Sequence, residues 1–258
     1  MAEKCKICNS ESKFLFNEMI LNKYNIDYYR CLNCGFVQTE FPYWLKEAYA
    51  SALGNEDTGI LKRNYYISTI TSLLLTTFFN KDGHYLDFAG GYGIFTRLMR
   101  DKGFNFFWSD PYAENLVARG FEWDFNKKAD LVTSIEAFEH FDKPLEQISE
   151  ILQISKNVLF TTQLFPFPTP KPKNWWYYSF AGGQHIAFHT KKSLNLIAIQ
   201  HGLNFYTNGK SVHFFTEKKL NPLFFNLIIK IAGTKVGSIL SNTADSLTES
   251  DMKMILLK

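Results

Sequence analysis

The chain lacks most of the features that mark exported, membrane-spanning or nucleic-acid-binding proteins. Its first residues, MAEKCKICNS, contain no apolar core of the kind that a signal peptide needs. The longest apolar run, residues 223–232, is interrupted by Asn226 and Lys230 and is too short to span a bilayer. The net charge is only +3 over 258 residues, which is weak for a protein that binds DNA or RNA. These absences predict a soluble cytoplasmic protein with no membrane partner.

Cysteine is absent after residue 34. The four cysteines, Cys5, Cys8, Cys31 and Cys34, form two C-x2-C pairs separated by 22 residues. Each pair places two thiolates in one tight turn, and two such turns complete a tetrahedral four-sulfur metal site. Disulfides or free thiols are the alternative, which a chain without an export signal disfavours. The spacing therefore predicts a structural zinc ion in a ribbon over residues 1–42.

Two common nucleotide-binding signatures are also missing. The stretch YLDFAGGYG, residues 85–93, has three glycines behind a short apolar run, so the backbone can turn sharply and approach a ligand. A dinucleotide site would need one more spaced glycine at the start of the helix, but the sequence IFT follows Gly93. A phosphate loop would need Gly-Lys-Ser/Thr, which does not occur here. Asp87, just before the glycines, would also repel a pyrophosphate.

The same features favour a cofactor that carries positive charge and no phosphate. S-adenosylmethionine has an ammonium and a sulfonium group, for which a carboxylate at Asp87 is a suitable partner. Asp110 ends the next predicted strand, at the sequence distance from which an acid can accept both hydroxyls of a ribose. The sequence therefore predicts S-adenosylmethionine as the cofactor.

Hydrophobic patterning divides the rest of the chain into three parts. Residues 43–80 are predicted to form a helical linker or lid, and residues 81–218 alternate between strands and helices. Residues 219–258 are predicted to form a pair of packing helices, with Thr248 and Asp251 as a capping box.

The alternation over residues 81–218 predicts an α/β fold with a doubly wound, mostly parallel sheet. Ligands of such sheets bind beyond the carboxyl ends of the strands. Asp87, Asp110 and Glu136 each close or follow a predicted strand, so we expect all three at one edge.

Several segments together resemble the class I S-adenosylmethionine-dependent methyltransferases, in the branch with an N-terminal zinc ribbon. They are CKIC…YRCLNCGFV, LDFAGGYGIFTRLM, WSDPY, DLVTSIEAFEHFDKP and NWWYYSFAGGQHIAFHT. The family loop is D-x-G-x-G-x-G, and Ala89 stands at its first glycine. The resemblance implies cofactor contacts from Asp87, from the backbone of Ala89, Gly90, Gly91 and Gly93, from Asp110 at the ribose, and from the region of Glu136.

Transfer of a methyl group to a hydroxyl or a carbon needs a general base, most often histidine. His185 lies in GGQHIAF, behind an aromatic run. Related sugar-modifying methyltransferases carry a Glu-His pair at this place, in which the histidine is the base; here Gln184 replaces the glutamate. His140, in EAFEH, is the second candidate. A purely structural role is the alternative for each histidine.

The aromatic run itself is predicted to contact the substrate. Trp175, Trp176 and Tyr177 offer rings that can stack on a sugar, with Gln184 close behind them in sequence. The alternative is a proline-stiffened loop whose aromatic residues pack on the sheet.

The resemblance implies O-methylation of a sugar, a nucleotide-linked sugar or a related polar metabolite, in surface-polysaccharide (capsule) or secondary-metabolite synthesis. Fuller C-methylating relatives carry a further C-terminal α/β domain, which this chain is expected to lack, and that favours oxygen as the acceptor. The alternatives are an RNA methyltransferase that holds nucleic acid with its ribbon, a sugar C-methyltransferase, and a non-catalytic binding protein. The sequence does not indicate which oligomeric state the protein adopts.

Overall fold

Strands and helices alternate along most of the chain in the computed structural model, which describes residues 3–50, 57–242 and 244–257. Its strands are β1 Glu3–Lys4, β2 Glu11–Ile20, β3 Tyr24–Cys31, β4 Val37–Thr39, β5 Tyr85–Phe88, β6 Phe106–Ser109, β7 Leu131–Ile135, β8 Val158–Thr161, β9 Ala187–Phe188, β10 Asn204–Thr207 and β11 Val212–Thr216. Its helices are α1 Leu45–Ala48, α2 Ile60–Phe78, α3 Ile94–Asp101, α4 Pro144–Ile154, α5 Lys191–Gln200, α6 Pro222–Ala232, α7 Lys235–Leu240 and α8 Thr248–Leu256. The predicted combination of strands and helices is confirmed.

The strands form two sheets. One has the order β1-β2-β3-β4-β9 and the other has the order β10-β11-β8-β7-β5-β6. In the larger sheet, β5 pairs in parallel with both β6 and β7, whereas β10 and β11 pair antiparallel as a hairpin. This sheet is therefore mixed in direction, and its doubly wound arrangement stays a prediction.

By its own packing the chain separates into two compact units. Unit 1 consists of the described residues within Met1–Ala52, Ile135–Glu150 and Phe160–Glu217. Unit 2 consists of those within Leu53–Ser134, Ile151–Leu159 and Lys218–Lys258. The four functional parts that the sequence predicts stay predictions, and part of the helical linker, residues 51–56, lies outside the described residues.

In unit 1, the cysteine ribbon belongs to a larger sheet. The hairpin of β2 and β3 is extended by β4, and β4 pairs in turn with β9, at Val37 opposite Phe188. Aromatic rings fill the space beside this sheet, with Tyr178 against Phe16, Phe180 and Phe188 at centroid distances of 5.1–5.4 Å. The ribbon is therefore held in unit 1 by residues that lie about 150 positions later in the chain.

In unit 2, a buried ion pair connects α8 to α3. The Arg100 guanidinium donates to both carboxylate oxygens of Asp251 at 2.6 and 2.8 Å, and it lies 3.6 Å from the centroid of the Phe121 ring. Such two-pronged pairs fix orientation as well as supplying attraction. None of the helices in the described part of the chain is long and apolar enough to cross a bilayer.

The end of the chain differs from the prediction in two ways. Three helices, α6, α7 and α8, occupy the region predicted to contain two. The predicted capping box of α8 is wrong, because Leu247 occupies the cap position and Thr248 donates instead to Asp101 at 2.9 Å. Asp251 faces Arg100, and this long-range charge pair replaces the local contact that its spacing indicates.

Candidate functional site

The glycine loop after β5 adopts backbone angles that few side chains tolerate. Ala89, Gly91 and Gly93 have φ values of +56°, +53° and +85°. A Cβ at Gly90 would lie 2.7 Å from the Asp87 carboxylate, and one at Gly93 would lie 2.7 Å from Asn115, so neither position has room for a side chain. Alanine at position 89 holds the left-handed conformation for which glycine is usually selected.

Asp110, directly after β6 and Ser109, fixes this loop. One carboxylate oxygen accepts from the Gly91 backbone N–H at 2.8 Å, and the other accepts from the N–H groups of Tyr112 and Ala113 at 2.7 and 2.8 Å. The Trp108 indole N–H donates to the Gly91 carbonyl at 2.8 Å. Each carboxylate oxygen has two lone pairs, so Asp110 keeps acceptor capacity for a ligand.

Asp87 lies beneath the loop and is only 1% exposed. Its two carboxylate oxygens accept from the hydroxyls of Thr133 at 3.0 Å and Thr96 at 3.2 Å. Burial nevertheless raises the pKa of Asp87 to about 7, because desolvation outweighs the two hydroxyl contacts. Near neutral pH the group is therefore poised between its two protonation states, and a neighbouring cation would favour the charged form.

Unit 2 thus brings together six of the seven predicted cofactor residues at the carboxyl ends of β5 and β6: Asp87, Ala89, Gly90, Gly91, Gly93 and Asp110. The seventh, Glu136, belongs to unit 1, where it follows β7 with φ +51°. Its backbone N–H donates to the Thr161 hydroxyl at 2.9 Å. A non-glycine residue in this region is strained, and such strain is concentrated at functional positions.

In unit 1, the two candidate base histidines lie together with a carboxylate. Glu139, His140 and His185 each have a ligand-capable atom within 4.8 Å of the others. The rings of His140 and His185 are 4.9 Å apart and nearly perpendicular. Burial, together with the neighbouring His185, lowers the pKa of His140 well below its ordinary value, so His140 is neutral at physiological pH.

The tautomer of His185 follows from its contact with the main chain. Its Nδ1 lies 2.7 Å from the carbonyl oxygen of Tyr177. A carbonyl can only accept, so Nδ1 carries the proton and Nε2 keeps a lone pair. An imidazole fixed in this way can accept a proton or bind a metal at Nε2.

Glu139 is the site residue that the sequence analysis missed. It is fully buried in the 3-10 turn Phe138–His140, close to the side chain of Tyr177, whose hydroxyl lies 3.3 Å from the Thr162 hydroxyl. Burial and the nearby Glu136 and Glu139 carboxylates raise the pKa of Tyr177. The available signal was the second acid of the motif EAFEH, directly before His140.

The predicted substrate residues differ in their surroundings. Trp176 is 75% exposed, whereas Trp175 packs against Phe165 and Tyr178 at 5.4 and 4.9 Å. Tyr177 has no exposed surface, so the expectation that its ring stacks on a substrate does not fit its burial. Gln184 donates to the Ala48 carbonyl at 2.7 Å.

Two of the remaining histidines are fully buried in unit 1. His213 bonds to the Thr162 carbonyl and the Thr207 hydroxyl at 3.0 and 2.8 Å, and burial lowers its pKa to about 4. His189 is fully buried beside Phe36, and burial lowers its pKa to about 3.

The four cysteine sulfurs of unit 1 form one cluster. Cys5 and Cys34 are 3.6 Å apart, Cys8 and Cys31 are 3.4 Å apart, and all four sulfurs lie within 4.8 Å of one another. A disulfide would require about 2.05 Å. A tetrahedral zinc ion with bonds of about 2.3 Å separates its sulfur ligands by roughly 3.8 Å. The backbone N–H of Ile7 donates to the Cys5 sulfur at 3.4 Å, as suits a thiolate. The donor set therefore fits one tetrahedral metal ion.

Comparison with known proteins gives one family match. The family described as a methyltransferase domain matches residues 61–208, more than half of the chain. No curated protein sequence matches significantly.

Solved structures with similar folds include three methyltransferases. Magnesium protoporphyrin IX methyltransferase from Synechocystis PCC 6803, with bound S-adenosylhomocysteine, is 12% identical and has a TM-score of 0.43, covering 67% of this chain and 93% of its own. An O-methyltransferase family protein from Burkholderia thailandensis is 14% identical with a TM-score of 0.46, over 69% of this chain and 68% of its own. The plantazolicin methyltransferase BpumL is 12% identical with a TM-score of 0.49, over 77% and 85%.

The raised pKa of Asp87 predicts a specific pH dependence of stability. The unfolded carboxyl titrates near 3.8 and the folded one near 7, so the folded state holds the extra proton between these values. This contribution to the free energy of unfolding therefore falls as pH rises from about 4 to 7, by at most about 4 kcal/mol. In urea titrations without cofactor, Asp87→Asn should gain stability relative to wild type across this window. Asp124→Asn, at an exposed site, is the control, and a pH-independent difference for Asp87→Asn would contradict the assignment.

Proposed function

Because this chain belongs to the methyltransferase domain family of S-adenosylmethionine-dependent enzymes, we propose that it methylates a hydroxyl of a small polar molecule, a sugar or nucleotide-linked sugar. The assignment of S-adenosylmethionine as methyl donor rests on two carboxylates. Asp87 is buried, and Asp110 accepts a hydrogen bond from the backbone N–H of Gly91 in the loop. Two adjacent parallel strands thus lead to two carboxylates beside the glycine loop.

The residues of the proposed S-adenosylmethionine site suit a cationic ligand without phosphate. Asp87 would balance the positive charge of the methionine end, and Asp110 would accept from the ribose hydroxyls. The backbone of Ala89, Gly90, Gly91 and Gly93 supplies close approach without side chains. The cofactor, when bound, supplies an electrophilic methyl group on its sulfonium.

On the acceptor side, we assign His185 as the general base. Its Nε2 lone pair can take the proton of a hydroxyl, while the Tyr177 carbonyl holds Nδ1–H and so keeps the ring in place. Neutral His140 lies beside it as the second candidate. The buried side chain of Glu139 completes this cluster.

A sugar acceptor is supported by the exposed Trp176 ring, which can stack on the face of a pyranose. A place in capsule or secondary-metabolite synthesis rests on the sequence resemblance alone. For the cysteine cluster we propose one structural zinc ion bound by Cys5, Cys8, Cys31 and Cys34, because four thiolates leave no open coordination position.

Calorimetric titration with S-adenosylmethionine tests the donor site. Asp110→Asn and Asp87→Asn should each weaken binding at least tenfold, because each removes a charge-assisted contact. Wild-type affinity should also fall by up to tenfold per pH unit below about 7, since the proton on Asp87 competes with the ligand's charge. Asp124→Asn should bind like wild type, and an absence of heat for wild type at millimolar ligand would refute the proposed function.

Methyl transfer from labelled donor tests the acceptor site. With a panel of free hexoses, nucleotide-linked hexoses and total RNA, we expect label on a sugar, and NMR of the product should show a methoxy group. His185→Ala should lower kcat at least 100-fold with donor affinity unchanged, because a positioned base contributes that much or more. The exposed His84→Ala is the matched control. Label on RNA would contradict the sugar acceptor, and label on a carbon would contradict O-methylation. A loss of kcat within threefold for His185→Ala would contradict the assignment of the base.

Elemental analysis of the purified protein tests the metal proposal. We expect one zinc per chain, held by the four cysteines, and no second ion at Glu139, His140 and His185. Cys31→Ser should lose the zinc and unfold at lower temperature, because metal binding contributes directly to folding. Leu32→Ser, in the same turn but exposed, should keep it. A metal-free chain, or two ions per chain, would be inconsistent with this proposal.

A further inference from the structure

Helix α6 in unit 2 carries apolar residues on its outer side as well as its inner side. Its inner residues Phe225, Ile228 and Ile229 are buried. Leu223 and Leu227, one helical turn apart, are 80% and 46% exposed. A surface helix of a water-soluble protein normally turns a polar face outward, but here the two leucines share the outer side with Asn226 and Lys230, so this side is amphipathic rather than polar.

Helix α7 continues this exposed apolar surface. Val236 and Ile239, three residues apart on one side of the helix, are 60% and 72% exposed. Gly237 fixes α7 against α6, because a Cβ at that position would collide with the Ile231 carbonyl. Together Leu223, Phe224, Leu227, Val236, Ile239 and Leu240 form what we call the α6–α7 outer face.

The charge around this face has a single sign. Residues 218–244 contain four lysines and no aspartate or glutamate, although the whole chain has 28 basic and 25 acidic residues. The lysines are Lys218, Lys219, Lys230 and Lys235, all exposed. An apolar face whose own segment, between Glu217 and Asp245, carries only cations is complementary to an anionic surface that also offers hydrocarbon.

A second copy of this chain is a less suitable occupant. A two-fold symmetric interface would place the same face opposite itself, so the four lysines of one copy would oppose those of the other. Like charges at an interface disfavour association unless counter-charges accompany them, and residues 218–244 provide none.

Against the sequence-based expectation of no membrane partner, we propose that the α6–α7 outer face binds the surface of an anionic membrane, with its leucines and isoleucine in the interfacial layer and its lysines at the lipid headgroups. Helix α6 has 11 residues, which is enough to lie in the membrane interface and too few to span the bilayer. The face contains none of the residues assigned to the donor, the acceptor or the zinc, so this inference is independent of the proposed function.

Flotation with lipid vesicles tests the proposal. The full chain should float with vesicles of phosphatidylcholine and phosphatidylglycerol, and much less with phosphatidylcholine alone or in high salt. Lys230→Gln combined with Lys235→Gln should weaken partitioning to anionic vesicles roughly 25-fold, at about fivefold for each lysine near the surface. Leu227→Glu with Ile239→Glu should abolish it.

Phe14→Glu, which changes a residue 59% exposed in unit 1, is the matched control and should float like wild type. Leu227 and Ile239 are both exposed, so the variant with glutamate at both positions should have the melting temperature of wild type. If its melting temperature fell strongly, the double lysine variant would decide the test. Failure of the wild type to float, or equal losses for Phe14→Glu, would overturn the proposal. Conversion of a dimer to a monomer by Leu227→Glu, without vesicle binding by wild type, would instead assign the face to self-association.

Discussion

The burial of the Asp87 carboxylate is the constraint on which the donor site depends. A carboxylate removed from water is unstable unless it is protonated, hydrogen-bonded or paired with a cation. Thr96 and Thr133 supply two hydrogen bonds, yet burial still raises the pKa of Asp87 to about 7. The charged form of this carboxylate is therefore unfavourable in the folded chain on its own, and a positively charged ligand would stabilise it. A phosphate at the same place would make the charged form still less favourable, which is why this loop does not suit a nucleotide polyphosphate.

The loop above Asp87 is fixed by the neighbouring strand rather than by its own sequence. Asp110 accepts a hydrogen bond from the Gly91 N–H, and the Trp108 indole N–H donates to the Gly91 carbonyl. Both backbone polar groups of Gly91 are therefore held by residues in or directly after β6. This attachment explains how Ala89 keeps a positive φ of +56°, since the cost of that conformation is offset by contacts made elsewhere in the loop.

What the sequence predicted correctly was local, and what it missed was brought together by the fold. The two C-x2-C pairs and the strand before Asp110 could be read directly, because each of these patterns depends on residues within a few positions. The capping box at Thr248 failed because Asp251 pairs with Arg100, 151 positions earlier in the chain. The role of Tyr177 could not be read either: an aromatic run indicates ring stacking, but the fold buries this ring and uses its carbonyl and hydroxyl instead.

Long-range contacts also bear on the proposed acceptor site, in which Gln184 stands where related sequences carry a glutamate. A base needs a fixed ring and an unprotonated nitrogen directed at the acceptor, and a neighbouring carboxylate is one way to provide the first of these. Here the Tyr177 carbonyl holds His185 Nδ1–H, and the Gln184 amide bonds to the Ala48 carbonyl. The Tyr177 ring is itself fully buried and its hydroxyl lies 3.3 Å from the Thr162 hydroxyl, so the residue that orients His185 is held in place by its packing. Glutamine at position 184 therefore removes a charge from the sequence motif without removing the orientation that the chemistry requires.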